Sequence, residues 1–185
     1  MNLNRKAASH HANVLEGRNK MKTIGLLGGM TCESTVPYYQ IINRCINEHL
    51  GREHSAKLIL YSVDFEEIEV LMCAEQWDEV GRILGEAAAR LEGAGAEFLV
   101  LCTNTAHKVA PIIETYVHIP LLHIVDVTAE AIAKKGFRKV GLIGTQFTME
   151  QSFYRSRLEN KHGIEVIIPP EHDRALVHRV IDKEL

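Results

Sequence analysis

Short apolar runs alternate with longer segments whose apolar residues recur every three to four positions, and this alternation begins at Met21. Thr23–Leu27 reads as an apolar strand ending in Gly28-Gly29. Residues 33–48 carry Tyr38, Ile41, Ile42, Cys45 and Ile46 at helical spacing, with Pro37 near the start. Ser34 or Thr35 is placed to cap that helix. Lys57–Val63 is a second strand, and Asp64–Glu75 a linking region with room for a short helix. Trp77–Gly93 is an amphipathic helix whose stripe is Val80, Ile83, Leu84, Ala87, Ala88 and Leu91, ended by Gly93 and Gly95. Phe98–Leu101 is a third strand and Ala106–Tyr116 a helix.

Ile119–Ile124 reads as a strand leading into a second unit. There Val127–Lys134, Met149–Lys161 and Arg174–Glu184 are helices, while Lys139–Ile143 and Glu165–Ile168 are strands. Strands alternating with helices of this length predict an α/β protein. It is expected to hold two similar doubly wound parallel-sheet halves, the second incomplete. Residues 21–120 form the first α/β domain, without its closing segment, and residues 121–185 a partial second one. Residues 1–20 hold Arg5, Lys6, Arg18 and Lys20 against a single Glu16 and no apolar stretch, so they read as a disordered leader.

Composition narrows the function. The chain has 185 residues, 46% hydrophobic and 24% charged, with a formal charge of −3. Such a balance offers no electrostatic case for nucleic acid or an anionic membrane. No apolar run approaches the roughly 20 residues that span a bilayer. Cys32, Cys45, Cys73 and Cys102 show no CxxC pairing, which fits a reduced, cytoplasmic setting. The ten histidines contain no HExxH or HxH spacing, so no metal site is expected.

Three polar turns follow apolar strands: Gly28–Thr31, Cys102–Thr105 and Gly144–Thr148. In parallel sheets all three lie at the carboxyl edge, where ligands bind. Backbone amides at such turns hold carboxylates or phosphates. Gly25-Leu26-Leu27-Gly28-Gly29 is neither GxGxxG nor a P-loop, which argues against a nucleotide. Strand alternation sets Cys102 and Thr103 on opposite sides. If Thr103 faces a cleft, Cys102 faces the core, where free cysteine is common. Cys32 stands at a helix start that would lower its pKa. His107 and His123 read as packing or hydrogen-bonding residues.

The residues Met21-Lys22-Thr23-Ile24-Gly25-Leu26-Leu27-Gly28-Gly29-Met30, with Cys102-Thr103-Asn104-Thr105-Ala106-His107, resemble the aspartate/glutamate racemase family. The resemblance runs from Met21 to the C-terminus, through Gly144-Thr145 and Thr148–Tyr154. It implies two similar α/β domains with a site between them and a cofactor-independent exchange of the Cα proton by two residues, usually cysteines, on opposite faces of aspartate or glutamate. By the same resemblance, Thr103 takes the first cysteine's place as the proton-handling residue. Met30, Thr31, Asn104, Thr105, Thr145 and Thr148 bind substrate, and Arg174 pairs with its distal carboxylate. The implied partner is a small amino acid, and a homodimer is allowed.

Two departures from the family pattern stand out. A Thr hydroxyl is a far weaker base than a thiol of pKa about 8.5. The family's second cysteine lies in a GCTE-like motif, expected beyond Leu185 and absent from the sequence as written. Impaired racemase activity is therefore expected. The alternatives are a non-catalytic amino-acid or dicarboxylate binder and a related two-cysteine isomerase.

Overall fold

The computed structural model describes residues 21–184. The leader expected over residues 1–20 lies outside the described residues.

The molecule is built on two parallel sheets. In the first, β1 (Ile24–Gly28) is central, flanked by β2 (Leu58–Ser62) and β3 (Phe98–Leu101), with Ile24 in register with both Leu58 and Phe98. A strand covered on both sides needs a near-continuous apolar run, and Leu26 and Leu27 are fully buried. The intervening helices are α1 (Cys32–Leu50), α2 (Phe65–Cys73) and α3 (Trp77–Gly93). In α3 the apolar stripe faces the sheet, and Val80, Leu84, Ala88 and Leu91 are essentially inaccessible. Burying each large side chain of that stripe is worth about 1.5–3 kcal/mol. After β3 come a five-residue 3-10 helix (Thr105–Val109) and α4 (Ala110–Ile113).

The second sheet pairs β4 (Lys139–Gly141) with β5 (Glu165–Ile167). Around it lie α5 (Ile124–Lys134), α6 (Gln146–Glu150), α7 (Ser152–Ser156), a π-type turn (Arg157–Lys161) and α8 (Glu171–Glu184). Val125, Ala129, Tyr154, Leu158, Ile164 and Val166 form a separate small core. Among the described residues no helix is long and apolar enough to cross a membrane.

The short helix allowed for in the linking region is α2, capped by Asp64, whose carboxylate accepts from the Glu66 amide. Several other local expectations are corrected. Neither Ser34 nor Thr35 caps α1; Thr31 does, accepting from the Ser34 amide. The helical spacing of α1 predicts a buried face, yet Thr35 is the buried residue there, and Val36, Tyr39 and Ile41 are each about half exposed. The helix meets β1 at its first turns, where Thr35 fills the space beside Gly28. The helix expected over 106–116 splits, because Pro111 supplies no amide to an α-helical ladder. The one expected over 149–161 breaks at Gln151, which is extended. Pro120 and Leu122 bond to Leu99, and Leu121 joins the first core, so packing of the first unit reaches past residue 120.

Candidate active site

A cleft of about 1210 Å³ opens where the carboxyl ends of β1, β3 and β4 meet. The first wall is the Gly28–Thr31 turn. Gly29 has φ +91°, and a Cβ there would collide with the Val63 carbonyl and the Ser62 hydroxyl. Its amide donates to Thr35 Oγ1 at 2.9 Å, and the Thr35 hydroxyl donates to the Thr31 carbonyl at 2.8 Å. This local net delivers Met30 and Thr31 to the cleft.

The second wall follows β3. Cys102 is fully buried, its amide donating to the Leu27 carbonyl at 2.9 Å, and burial pushes its thiol up to about 12. It does not line the cleft, whereas Thr103, Asn104 and Thr105 do. A thiol held that far above neutrality is inert as a base.

The third wall follows β4. Thr145 Oγ1 lies 3.2 Å from Thr148 Oγ1 and 3.2 Å from Thr105 Oγ1, so a chain of three hydroxyls links the two units across the cleft. Thr145 also caps α6, accepting from the Thr148 amide. A second bridge lies at the cleft's edge. Trp77 of α3 stands edge-on to Phe147 of α6, with centroids 5.7 Å apart, and Lys108 Nζ sits 3.7 Å over the indole.

Beneath Thr103 is a buried histidine. Ile124 donates its amide to His107 Nε2 at 3.2 Å, so that nitrogen must be bare and the proton resides on Nδ1. Nδ1–H then donates to the Thr103 carbonyl at 2.8 Å. Burial, reinforced by the neighbouring His123, pushes His107 down to about 3. His123 caps α5 through Nδ1, and burial and Arg157 hold it at about 4.

Arg174 is placed differently from its sequence-based role. It pairs with Glu150 at 2.9 Å and donates to the Pro169 carbonyl at 2.9 Å, outside the cleft lining. One turn later on α8, His178 does line the cleft, its Nδ1 buried and without a hydrogen-bond partner among the described residues. The i, i+4 spacing from Arg174 is the signal that could have found it. Glu33, Glu69 and Tyr154 also line the cleft and were not anticipated. The Cys32 thiol is raised rather than lowered, because it donates to the adjacent Glu33 carboxylate at 3.0 Å, and that charge outweighs the helix start.

Parallel α/β sheets with a cleft at their carboxyl edge, lined by hydroxyl, amide and apolar side chains, have the architecture of a small-molecule site. The chain belongs to the Asp/Glu/Hydantoin racemase family, whose model matches residues 27–185. It is similar to the broad-specificity amino-acid racemase RacX of Bacillus subtilis, at 28% identity over 167 residues, covering 85% of this chain and 69% of RacX. It is also similar to a candidate Asp/Glu racemase of Yersinia pestis, at 55% identity and TM-score 0.84, covering 89% of this chain and 71% of that one. An aspartate racemase homologue of Pyrococcus horikoshii OT3 matches at 39% identity and TM-score 0.78, with 89% and 72% covered.

Proposed function

We propose that this chain acts on aspartate or glutamate, moving the proton on the substrate's α-carbon within the cleft and without a cofactor. The observation that carries the reading is the convergence of Thr103, Thr105, Thr145 and Thr148 on one cleft while Cys102 is buried. Thr103 is the proton-handling group on one face of the α-carbon. Asn104, Thr105, Thr145 and Thr148 hold the α-carboxylate through hydroxyl and amide donors, and Met30 and Thr31 shape the opposite wall. Removal of a Cα proton builds negative charge on that carboxylate, so donors fixed in place beforehand favour the step. The four cysteines stand as free thiols, which supports a reducing, cytosolic setting.

A hydroxyl removes a carbon-bound proton far less readily than a thiolate does. We therefore assign Thr103 to one face of the α-carbon, as the weaker member of an unequal pair, and expect slow inversion of configuration. The test is proton NMR of L-aspartate and L-glutamate in deuterium oxide with the full chain. Expected are binding of at least one substrate and slow Cα exchange, falling about 10²- to 10⁴-fold in Thr103→Ala. Brisk deuterium incorporation with inversion would overturn the one-face assignment. Failure of both amino acids to bind would overturn the substrate class.

A further inference from the structure

The structure assigns His107 as a positioning residue. Its ring, buried between the Thr103 turn and the amino end of α5, holds the Thr103 carbonyl with one nitrogen and the first amide of α5 with the other. In this way it fixes how Thr103 meets the cleft. The inference rests on the reading of Thr103 as the proton-handling group.

The ring is 2% exposed and uses both nitrogens. The Ile124 amide is one of the donors that a helix start leaves without an internal acceptor. His107 supplies that acceptor from the other unit. Only one neutral tautomer satisfies both bonds, since the Thr103 carbonyl can only accept and the Ile124 amide can only donate. His123 packs against the ring at 4.6 Å between centroids and caps the next amide, that of Val125. The turn carrying Thr103 is thus tied to the helix that opens the second unit. The same turn reaches across the cleft through Thr105 and Thr145. The carbonyl and the side chain share the Thr103 Cα, so holding the carbonyl through His107 limits ψ at Thr103 and fixes the Cα from which its hydroxyl is presented.

The charged and titratable groups facing the pair are Arg157, which acts on both rings, and Asp126 and Lys161, which act on His123. Protonation of His107 would turn Nε2 into a donor aimed at the Ile124 amide, so the arrangement is compatible with the neutral ring alone.

Ring-nitrogen NMR of the full chain tests the assignment. A bare Nε2 and a protonated Nδ1, unchanged between pH 7 and 5, are expected. An Nε2–H tautomer, or titration near about 6.5, would overturn it. Substitution supplies the second arm. In His107→Asn the side-chain amide can donate where Nδ1–H did, whereas His107→Gln can accept from Ile124 but loses the Thr103 bond. The Thr103 carbonyl-carbon resonance should move in Gln and return towards its original position in Asn. Cα exchange of aspartate should fall about 10- to 100-fold in Gln at saturating substrate, with KM little changed, and recover in Asn. Equal carbonyl shifts in folded Gln and Asn variants would overturn the positioning role. Absent exchange in the unmodified chain, with the carbonyl pattern as expected, would instead count against the proton-transfer reading.

Discussion

Mild acid should destabilise this protein through two histidines. His107 and His123 are buried and held neutral, with values pushed down to about 3 and about 4, chiefly by burial. In the unfolded chain both titrate near about 6.5. The unfolded state therefore binds more protons below that value. Stability present above it is lost as pH falls through the window down to the folded values. Each pH unit in the window costs about 1.4 kcal/mol per ring, so the pair together costs about 4 kcal/mol at pH 5. That is a large share of the roughly 5–15 kcal/mol that holds a domain folded. Asp126 adds no slope there. Arg157 holds its carboxyl well below the ordinary 3.8, so it is ionised in both states throughout the interval. Urea midpoints measured at pH 7, 6 and 5 give the assay, with a His107→Asn/His123→Asn double variant as control. The midpoint should fall steadily in the original chain and much less in the control. A flat midpoint between pH 7 and 5 in the original chain would refute the reasoning.

Gly29→Ala should cost about 1–3 kcal/mol in urea unfolding, because its φ of +91° and the Val63 carbonyl both oppose a methyl group there. Leu84→Ala, in the fully buried stripe of α3, should cost about 2–5 kcal/mol by the same measurement. Asp126 accepts from Arg157, Lys161 and His162 at 2.7–2.9 Å at a partly exposed site. Asp126→Ala should therefore cost about 1 kcal/mol in thermal unfolding, and the difference should shrink in about 1 M salt; a difference that salt leaves untouched would mean the carboxylate works through packing.

What the sequence revealed depended on how local the cause was. The sequence pattern predicts Trp77–Gly93 and Phe98–Leu101 with their observed limits, because a heavily apolar stripe and a glycine stop define the first, and an unbroken apolar run the second. The Cys102/Thr103 contrast followed from strand alternation alone, and the burial of one beside the cleft position of the other has that origin. The exposed face of α1 could not be anticipated, since helical spacing says which residues share a side but not what packs against it. Arg174 looked free to meet a ligand because its partner, Glu150, lies 24 residues earlier in the chain. The sequence marks His107 only as a packing or hydrogen-bonding residue. Its link to Ile124, 17 residues away, requires both units to be folded.

The edge-on contact between Trp77 and Phe147 makes the chain its own optical gauge. Its sequence contains a single tryptophan, so all indole emission comes from one point at the rim of the cleft. The ring packed edge-on against that point, Phe147, belongs to the opposite unit and also lines the space a substrate would fill. Any ligand that draws the two sheets together, or wedges them apart, must change the environment of this one chromophore. Indole emission is thus a readout of ligand entry in the unlabelled protein, with Phe147→Leu as the variant in which the signal should fade.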